Sequence, residues 1–359
     1  MPVRIALDYR PALLSHAGIG RAVRELARAL TAEPDIELHL FAHSFAKPQH
    51  AIHVPRGATL HRTRLPGRAL PLLARLGLGA DRLAGGTSVF HWTDYVHPAV
   101  SSAHVVATVH DLAFVHDPTF HGANTTVLRQ RTEHAARTAA VVIVPSHATA
   151  ADLRSLTPSA RIEVIPFGCD HLAATVGAHP FAGKDYALCL GTIEPRKNHR
   201  ALLAAWRQLP ATRPQLVIVG RRGWEDDAIV RELHAAEHEG TIVWRREADD
   251  DEVSTLLAHA RLLVYPSLWE GFGFPPLEAM ARGVPVIAHD CAPMRELTDG
   301  AALLCDARSP TALADAIARG LTDRSMVSRL ITAGRARAAC FRWADCARAH
   351  AAVYREVAS

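Results

Sequence analysis

No apolar run among the 359 residues approaches the roughly 18–20 that a membrane-crossing helix needs; residues 139–145 are among the longest. The first residues enter a strand-like run, Val3-Arg4-Ile5-Ala6-Leu7, without a basic region and cleavage site ahead of it, so no secretory leader is expected. The six cysteines (Cys169, Cys189, Cys291, Cys305, Cys340 and Cys346) lack C-x-x-C spacing, which predicts buried thiols in a reducing cytoplasm rather than a disulfide framework. Repeats and low-complexity segments are missing too, which excludes solenoids and fibres. The 22 histidines are scattered without H-E-x-x-H or similar spacing, so no metal is expected.

Charge is nearly balanced at 40 Lys+Arg against 36 Asp+Glu, yet the balance is uneven along the chain. Residues 1–170 carry 17 basic and 13 acidic side chains, whereas the remainder carries 23 of each. Arg56, Arg62, Arg64, Arg68, Arg75 and Arg82 face only Asp81. Such a stretch is either a solvated basic face or a surface for anionic lipid or a phosphorylated acceptor. Nucleic acid is not expected, because aromatics do not interleave with the arginines and no binding motif accompanies them. Residues 68–85 combine leucines with arginines, which suits an amphipathic membrane-touching surface. Pro71, Gly77 and Gly79 argue instead for an ordinary, interrupted helix.

Short Val/Ile-rich runs alternate with helix-periodic stretches along the whole chain. Strands are predicted at 3–7, 36–41, 88–92, 104–109, 140–144 and 161–165, then at 186–190, 215–219, 241–244, 262–265, 284–288 and 302–304. Helices are predicted at 21–30, 124–138, 147–156, 199–208, 226–239, 251–260 and 311–321, with a last one at 343–357. Continuous apolar strands separated by helices indicate parallel sheets covered on both faces. The pattern breaks between Gly168 and Lys184, so the expected fold is α/β with two doubly wound, Rossmann-like domains facing each other across a cleft. The expected domains are 1–170 and 185–342, followed by the helix 343–359.

The chemistry concentrates in the second half. Strand 262–265 runs into Pro266-Ser267-Leu268-Trp269-Glu270-Gly271-Phe272-Gly273-Phe274, and a helix is expected to open near Pro275 or Pro276. Free amides at such a helix start favour anions or electron-rich oxygens, and Gly271 and Gly273 let a ligand approach the backbone. Glu270 and Glu278, eight positions apart, each suit a pair of vicinal hydroxyls. Spacing alone also allows a helix-start turn with solvated carboxylates. After strand 186–190, Gly191-Thr192-Ile193-Glu194-Pro195-Arg196-Lys197-Asn198 places Arg196 and Lys197 beyond a strand end, where the pair suits a diphosphate or is simply solvated. Asp249-Asp250-Asp251 could suggest a metal site, but it directly precedes an amphipathic stretch and reads as a helix cap.

The Glu-x₇-Glu segment E-G-F-G-F-P-P-L-E, together with G-T-I-E-P-R-K-N and G-V-P-V-I-A, resembles glycosyltransferase family four, retaining enzymes of the GT-B fold. First-half pieces extend the likeness: Ala17-Gly18-Ile19-Gly20-Arg21, Val109-His110-Asp111, Val144-Pro145-Ser146 and Ile165-Pro166-Phe167-Gly168. The resemblance implies that Glu278 holds the donor ribose and that Glu270 contacts the donor sugar. It implies that amides of Gly271, Phe272 and Gly273, with Phe274 and Leu277 in the same motif, line the donor. Arg196 and Lys197 would neutralise the diphosphate, Gly18 and Gly20 would let a first-half loop approach it, and His110 would line the cleft. Thr192 stands where many relatives have arginine, which leaves the charge to Arg196 and Lys197. The implied activity is retaining transfer of a sugar from a GDP- or UDP-linked donor to a glycan or lipid-linked acceptor, without cofactor or metal. The motif forms resemble bacterial mannosyltransferases of polysaccharide and O-antigen assembly and point first to GDP-mannose. The expected location is cytoplasmic, peripheral on the inner membrane face. A GT-B sugar-nucleotide epimerase or hydrolase and a non-catalytic partner subunit remain as alternatives.

Overall fold

The computed structural model describes residues 2–15, 18–44, 53–172, 176–224 and 227–359. Ala17, residues 173–175 of the expected linker and Asp226, expected to open a helix, lie outside the described residues. The chain forms two compact units. The first comprises Met1–Leu112, Ala123–Gly168 and Arg342–Ser359; the second comprises Ala113–Gly122 and Cys169–Phe341.

The first unit is built on β1 (Val3–Asp8), β2 (Ile36–His43), β3 (Thr59–Thr63), β4 (Val89–Trp92), β5 (His104–Thr108), β6 (Val141–Val144) and β7 (Ile162–Val164). All pair in parallel, in the order β3-β2-β1-β4-β5-β6-β7. The second unit holds β8 (Tyr186–Leu190), β9 (Gln215–Val219), β10 (Ile242–Arg245), β11 (Leu262–Tyr265), β12 (Val286–His289) and β13 (Leu303–Cys305). Its order, β10-β9-β8-β11-β12-β13, is the doubly wound pattern. Central strands such as Val141–Val144 and Leu262–Tyr265 are buried along their whole length, as parallel strands covered on both faces must be.

Most expected elements are present within a residue or two. Sequence reading misses β3, whose Thr-Leu-His-Arg-Thr run lies at a sheet edge, half exposed, and lacks an apolar run. It also misses the helices Ala292–Thr298 and Arg324–Ala338. The helix expected from 275 or 276 opens at Phe274, after Gly273. Asp249 caps the helix Asp250–His259 by accepting from the Glu252 amide at 2.8 Å, which accounts for the acidic run. Among the described residues no three or more His, Cys, Asp or Glu side chains gather with metal-holding geometry, and no helix is long and apolar enough to cross a membrane.

Two features depart from simple succession along the chain. The segment Ala113–Gly122, expected in the first domain, packs with the second unit. The C-terminal helix Trp343–Ala358 packs in the first, against β1 and the helix Gly18–Leu30. There a buried network holds it: Tyr354 Oη lies 2.7 Å from His91 Nδ1, and His91 Nε2 lies 2.8 Å from Thr108 Oγ1. Gly168 ends the first sheet's run of chain beneath this helix, because a Cβ there would lie 2.3 Å from the Trp343 nitrogen.

Candidate active site

In the second sheet the strand order reverses direction at β8 and β11, and the loops leaving their C-terminal ends must diverge. That divergence makes the crevice in which open α/β sheets bind ligands. β8 is followed by Gly191, whose φ of +152° and lack of a side chain let the Lys197 stem pass at about van der Waals distance from where a Cβ would be. The chain then makes a 3-10 turn at Pro195–Lys197 and reverses through Asn198, left-handed at φ 56°, whose side-chain amide donates to the Ala307 carbonyl at 2.8 Å. The two loops are stitched together. The Leu268 amide donates to the Arg196 carbonyl at 2.9 Å, and the Arg196 guanidinium donates to the Trp269 carbonyl at 2.6 Å.

At this junction the structure brings Arg196, Lys197 and Glu270 into one cluster. Lys197 Nζ lies 2.5 Å from Glu270 Oε1 and 3.1 Å from the Tyr265 hydroxyl. Arg196 reaches Glu270 Oε2 at 2.9 Å and Glu194 at 2.9 Å, and Ser267 donates to Glu270 at 2.5 Å. Burial alone would push the Glu270 carboxyl up. The two cations and the Lys197 and Ser267 hydrogen bonds override it and hold the group down at about 2. Burial pushes the Tyr265 hydroxyl well above its ordinary range, so it stays a neutral donor and acceptor. Two cations and two carboxylates leave the cluster formally neutral. Arg196 is buried and committed to Glu194, Glu270 and a carbonyl. Among the described residues Lys197 Nζ has two acceptors for its three N–H groups, so one remains for a ligand oxygen. The sequence places both cations at an open mouth. The structure instead buries Arg196, because two acidic partners make that burial tolerable.

Gly273, at φ +111°, turns the chain into the helix Phe274–Arg282, and a Cβ there would meet the Met294 methyl at 2.6 Å. Gly271 lies within this buried turn. Phe272 and Phe274 pack edge to face at 5.3 Å, and Leu277 is fully buried, so these three side chains belong to the core. Glu278 is buried one turn into the helix, with its Oε1 3.1 Å from His171 Nε2.

The remaining expected residues lie in the first unit. Gly18 and Gly20 do not form a loop. They open the helix Gly18–Leu30, which packs on the short helix Arg10–Leu14. A Cβ on Gly20 would lie 2.0 Å from the Ser15 carbonyl oxygen, so packing requires this glycine. His110 follows β5 and donates from Nε2 to the Thr93 carbonyl at 2.8 Å. Its pKa is lowered by burial, despite that hydrogen bond and the nearby Asp111 and Asp94. A carbonyl only accepts, so Nε2 carries a proton, and the lowered pKa leaves the ring neutral near pH 7. At the end of β1, Asp8 is buried beside Arg10, which pairs with Asp94.

Sequence reading gave no role to Glu194, Tyr265, Ser267 or His171. The first three lie inside quoted segments, and only their partners were lacking. His171 lies 107 positions from Glu278, and no local signal announces the pair.

Residues 177–337 match the family described as glycosyl transferases group 1, and residues 16–171 the one described as Glycosyltransferase Family 4. The chain is 30% identical to O-antigen chain mannosyltransferase B of Escherichia coli over 375 residues, spanning 96% of this chain and 97% of the relative. Among solved structures, sucrose-phosphate synthase from Thermosynechococcus elongatus aligns with a TM-score of 0.80 at 23% identity, over 99% of this chain and 98% of that one. Anabaena HepE, in complex with UDP and glucose, aligns at 0.76 and 19% identity, over 99% and 100%. These two likenesses bear on the fold. With the ends of β8 and β11 carrying the expected Arg196, Lys197 and Glu270, the chain belongs to glycosyltransferase family four and is a hexosyltransferase of the GT-B fold.

Proposed function

We propose that this hexosyltransferase moves mannose from GDP-mannose, with retention of anomeric configuration, onto a hydroxyl of a lipid-linked glycan at the cytoplasmic face of a membrane. The observation that carries the reading is the Lys197–Glu270–Arg196 cluster at the second sheet's reversal point. Departure of a nucleoside diphosphate concentrates negative charge on its oxygens. Lys197, pinned by Tyr265 and Glu270, presents its remaining N–H from a fixed position, so little reorganisation is needed as that charge develops. Arg196 holds Glu270 in place rather than meeting the phosphates itself. Glu270 in turn accepts from the donor sugar, with the amides of Gly271, Phe272 and Gly273 beside it and Phe274 and Leu277 supporting the turn. Glu278, oriented by His171, accepts from the ribose hydroxyls. The departing phosphate takes the acceptor proton, so no side chain serves as general base. Fixed cations supply the charge, so a chelator is expected to leave turnover unchanged. Mannose is favoured because the Escherichia coli relative is a mannosyltransferase.

A thermal-shift screen against GDP, UDP, ADP and their sugar conjugates tests the donor. A ligand at about 100 times its Kd stabilises by about 2.7 kcal/mol. The largest shift is expected with GDP and GDP-mannose, and it should vanish in Glu278→Ala. No shift with any nucleotide refutes the donor site, and a shift confined to UDP refutes GDP-mannose.

The membrane part rests on a patch in the first unit. Leu72, Leu76 and Leu78 are 63%, 70% and 51% exposed, and Arg64, Arg68, Arg75 and Arg82 are exposed beside them in sequence. Leucines that enter the lipid boundary and arginines worth about 1 kcal/mol each near anionic headgroups fit an anionic bilayer. Flotation with phosphatidylglycerol vesicles should carry the chain upward, and serine at the three leucines should abolish it. Absence of binding with and without anionic lipid rules this part out.

A further inference from the structure

The segment Ala113–Gly122 follows β5 just after His110, yet it belongs to the second unit. It is a short helix, Ala113–His116, followed by a 3-10 turn, Pro118–Phe120, which Asp117 caps by accepting from the Thr119 amide at 2.9 Å. Three adjacent strand ends receive it. At the end of β9, Trp224 donates its indole N–H to the Phe120 carbonyl at 3.1 Å, and the His121 ring lies stacked over Trp224 at 5.9 Å. The Pro118–Phe120 turn lies beside Pro195–Lys197, at the end of β8. At the end of β11, the His116 ring stacks on Trp269 with centroids 3.4 Å apart and planes 26° from parallel. Trp269 is the residue before Glu270, and its carbonyl accepts from Arg196.

We propose that this segment is a strap that positions the Glu270 loop, and that His116 is its positioning residue, acting through Trp269. Trp269 remains only half-buried with His116 stacked on it, so the imidazole plane is a substantial part of what holds the indole. With Trp269 held, its carbonyl stays on Arg196, and Arg196 stays on Glu270. The strap itself is anchored at Trp224, on a loop whose Gly223 amide donates to the Ile193 carbonyl at 2.9 Å, so the support closes back onto the β8 loop. The inference rests on the Glu270 site described above but not on the identity of the donor.

Hydrogen–deuterium exchange of the full-length chain tests it without any ligand. The Leu268 amide, bonded to the Arg196 carbonyl, reports the loop. In His116→Ala it should exchange about three- to tenfold faster, the worth of one aromatic pair, while β5 amides keep their rates. His116→Phe, which keeps a ring over Trp269, should restore protection. Unchanged exchange in His116→Ala overturns the proposal, as does equal loss in the Ala and Phe variants, which would give the histidine a role other than stacking. Turnover of GDP-mannose gives the second reading. In His116→Ala, kcat should fall by about the same factor with KM nearly unchanged, because Glu270 is misplaced rather than removed. A raised KM at unchanged kcat would place His116 in donor binding and overturn it. If the parent chain does not turn over GDP-mannose, the donor assignment fails, and the exchange result alone still decides the strap.

Discussion

Glu270→Gln keeps the shape of the side chain and removes its charge from between two cations. The surroundings hold the carboxyl at about 2, against an ordinary 4.5. At about 1.4 kcal/mol for each pH unit, that displacement makes the ionised state worth about 3 kcal/mol to the folded chain. The side chain is only 10% exposed, so solvent does little to screen the interaction. In the Gln variant Arg196 retains Glu194, while Lys197 is left with neutral acceptors alone, the Tyr265 hydroxyl and the new amide oxygen. For a unit of this size about 3 kcal/mol corresponds to a melting shift of about 6–12 °C. A depressed folded pKa gives stability that is complete above pH 4.5 and lost as the pH falls toward 2. The melting difference between parent and variant should therefore be widest at pH 6–7 and shrink below pH 4.5, where the unfolded parent begins to take up a proton that the folded carboxylate does not bind until about 2. Differential scanning fluorimetry across that range decides the matter. A variant that melts within about 2 °C of the parent at neutral pH, or a difference that does not change with pH, refutes the reasoning.

Other consequences can be checked separately. Lys197→Met should lower kcat by about 10²–10³-fold, the usual effect of losing one oriented donor to developing charge, as steady-state kinetics would show. Tyr354→Phe leaves His91 Nδ1 buried without its 2.7 Å partner and should cost about 1–3 kcal/mol, seen as a lower melting temperature of the first unit. Burial lowers His350 from 6.5 to about 4, against its hydrogen bond to the Cys346 carbonyl. The stability it permits is complete above pH 6.5 and lost as the pH falls toward 4, so His350→Leu should flatten the first unit's pH dependence in urea titrations. Gly20→Ala forces a Cβ to 2.0 Å from the Ser15 carbonyl oxygen and should sharply reduce soluble yield and melting temperature.

Legibility followed range along the chain. The buried strands could be read because each carries its own apolar run, and the positions of Glu270, Arg196 and Lys197 because strand ends and glycine turns mark where loops begin. β3 escaped because an edge strand needs few apolar residues: Thr59 and Arg62 are exposed, and His61 and Thr63 are only half-buried. The burial of Arg196 was not legible, since it depends on Glu194 and Glu270 meeting it from two different loops. The pairing of His171 with Glu278 and the stacking of His116 on Trp269 join residues more than a hundred positions apart. Their segments carry no periodicity that points to a distant partner. Gly18 and Gly20 are the converse case. Two glycines read as a ligand loop are a helix start, and for Gly20 a neighbouring helix end takes up the room a side chain would need.

The C-terminal helix bears on the order in which this protein can be made. Its bed is complete once β7 has been translated, but the helix that covers it is not encoded until the entire second unit has passed through the ribosome. At about 5–20 residues per second that interval is about 10–40 s. Throughout it His91 lacks the Tyr354 hydroxyl, and the surface meant for Trp343, Ala347, Ala351 and Tyr354 stays bare. A ribosome stalled before residue 343 would therefore leave that face of the nascent first unit uncovered.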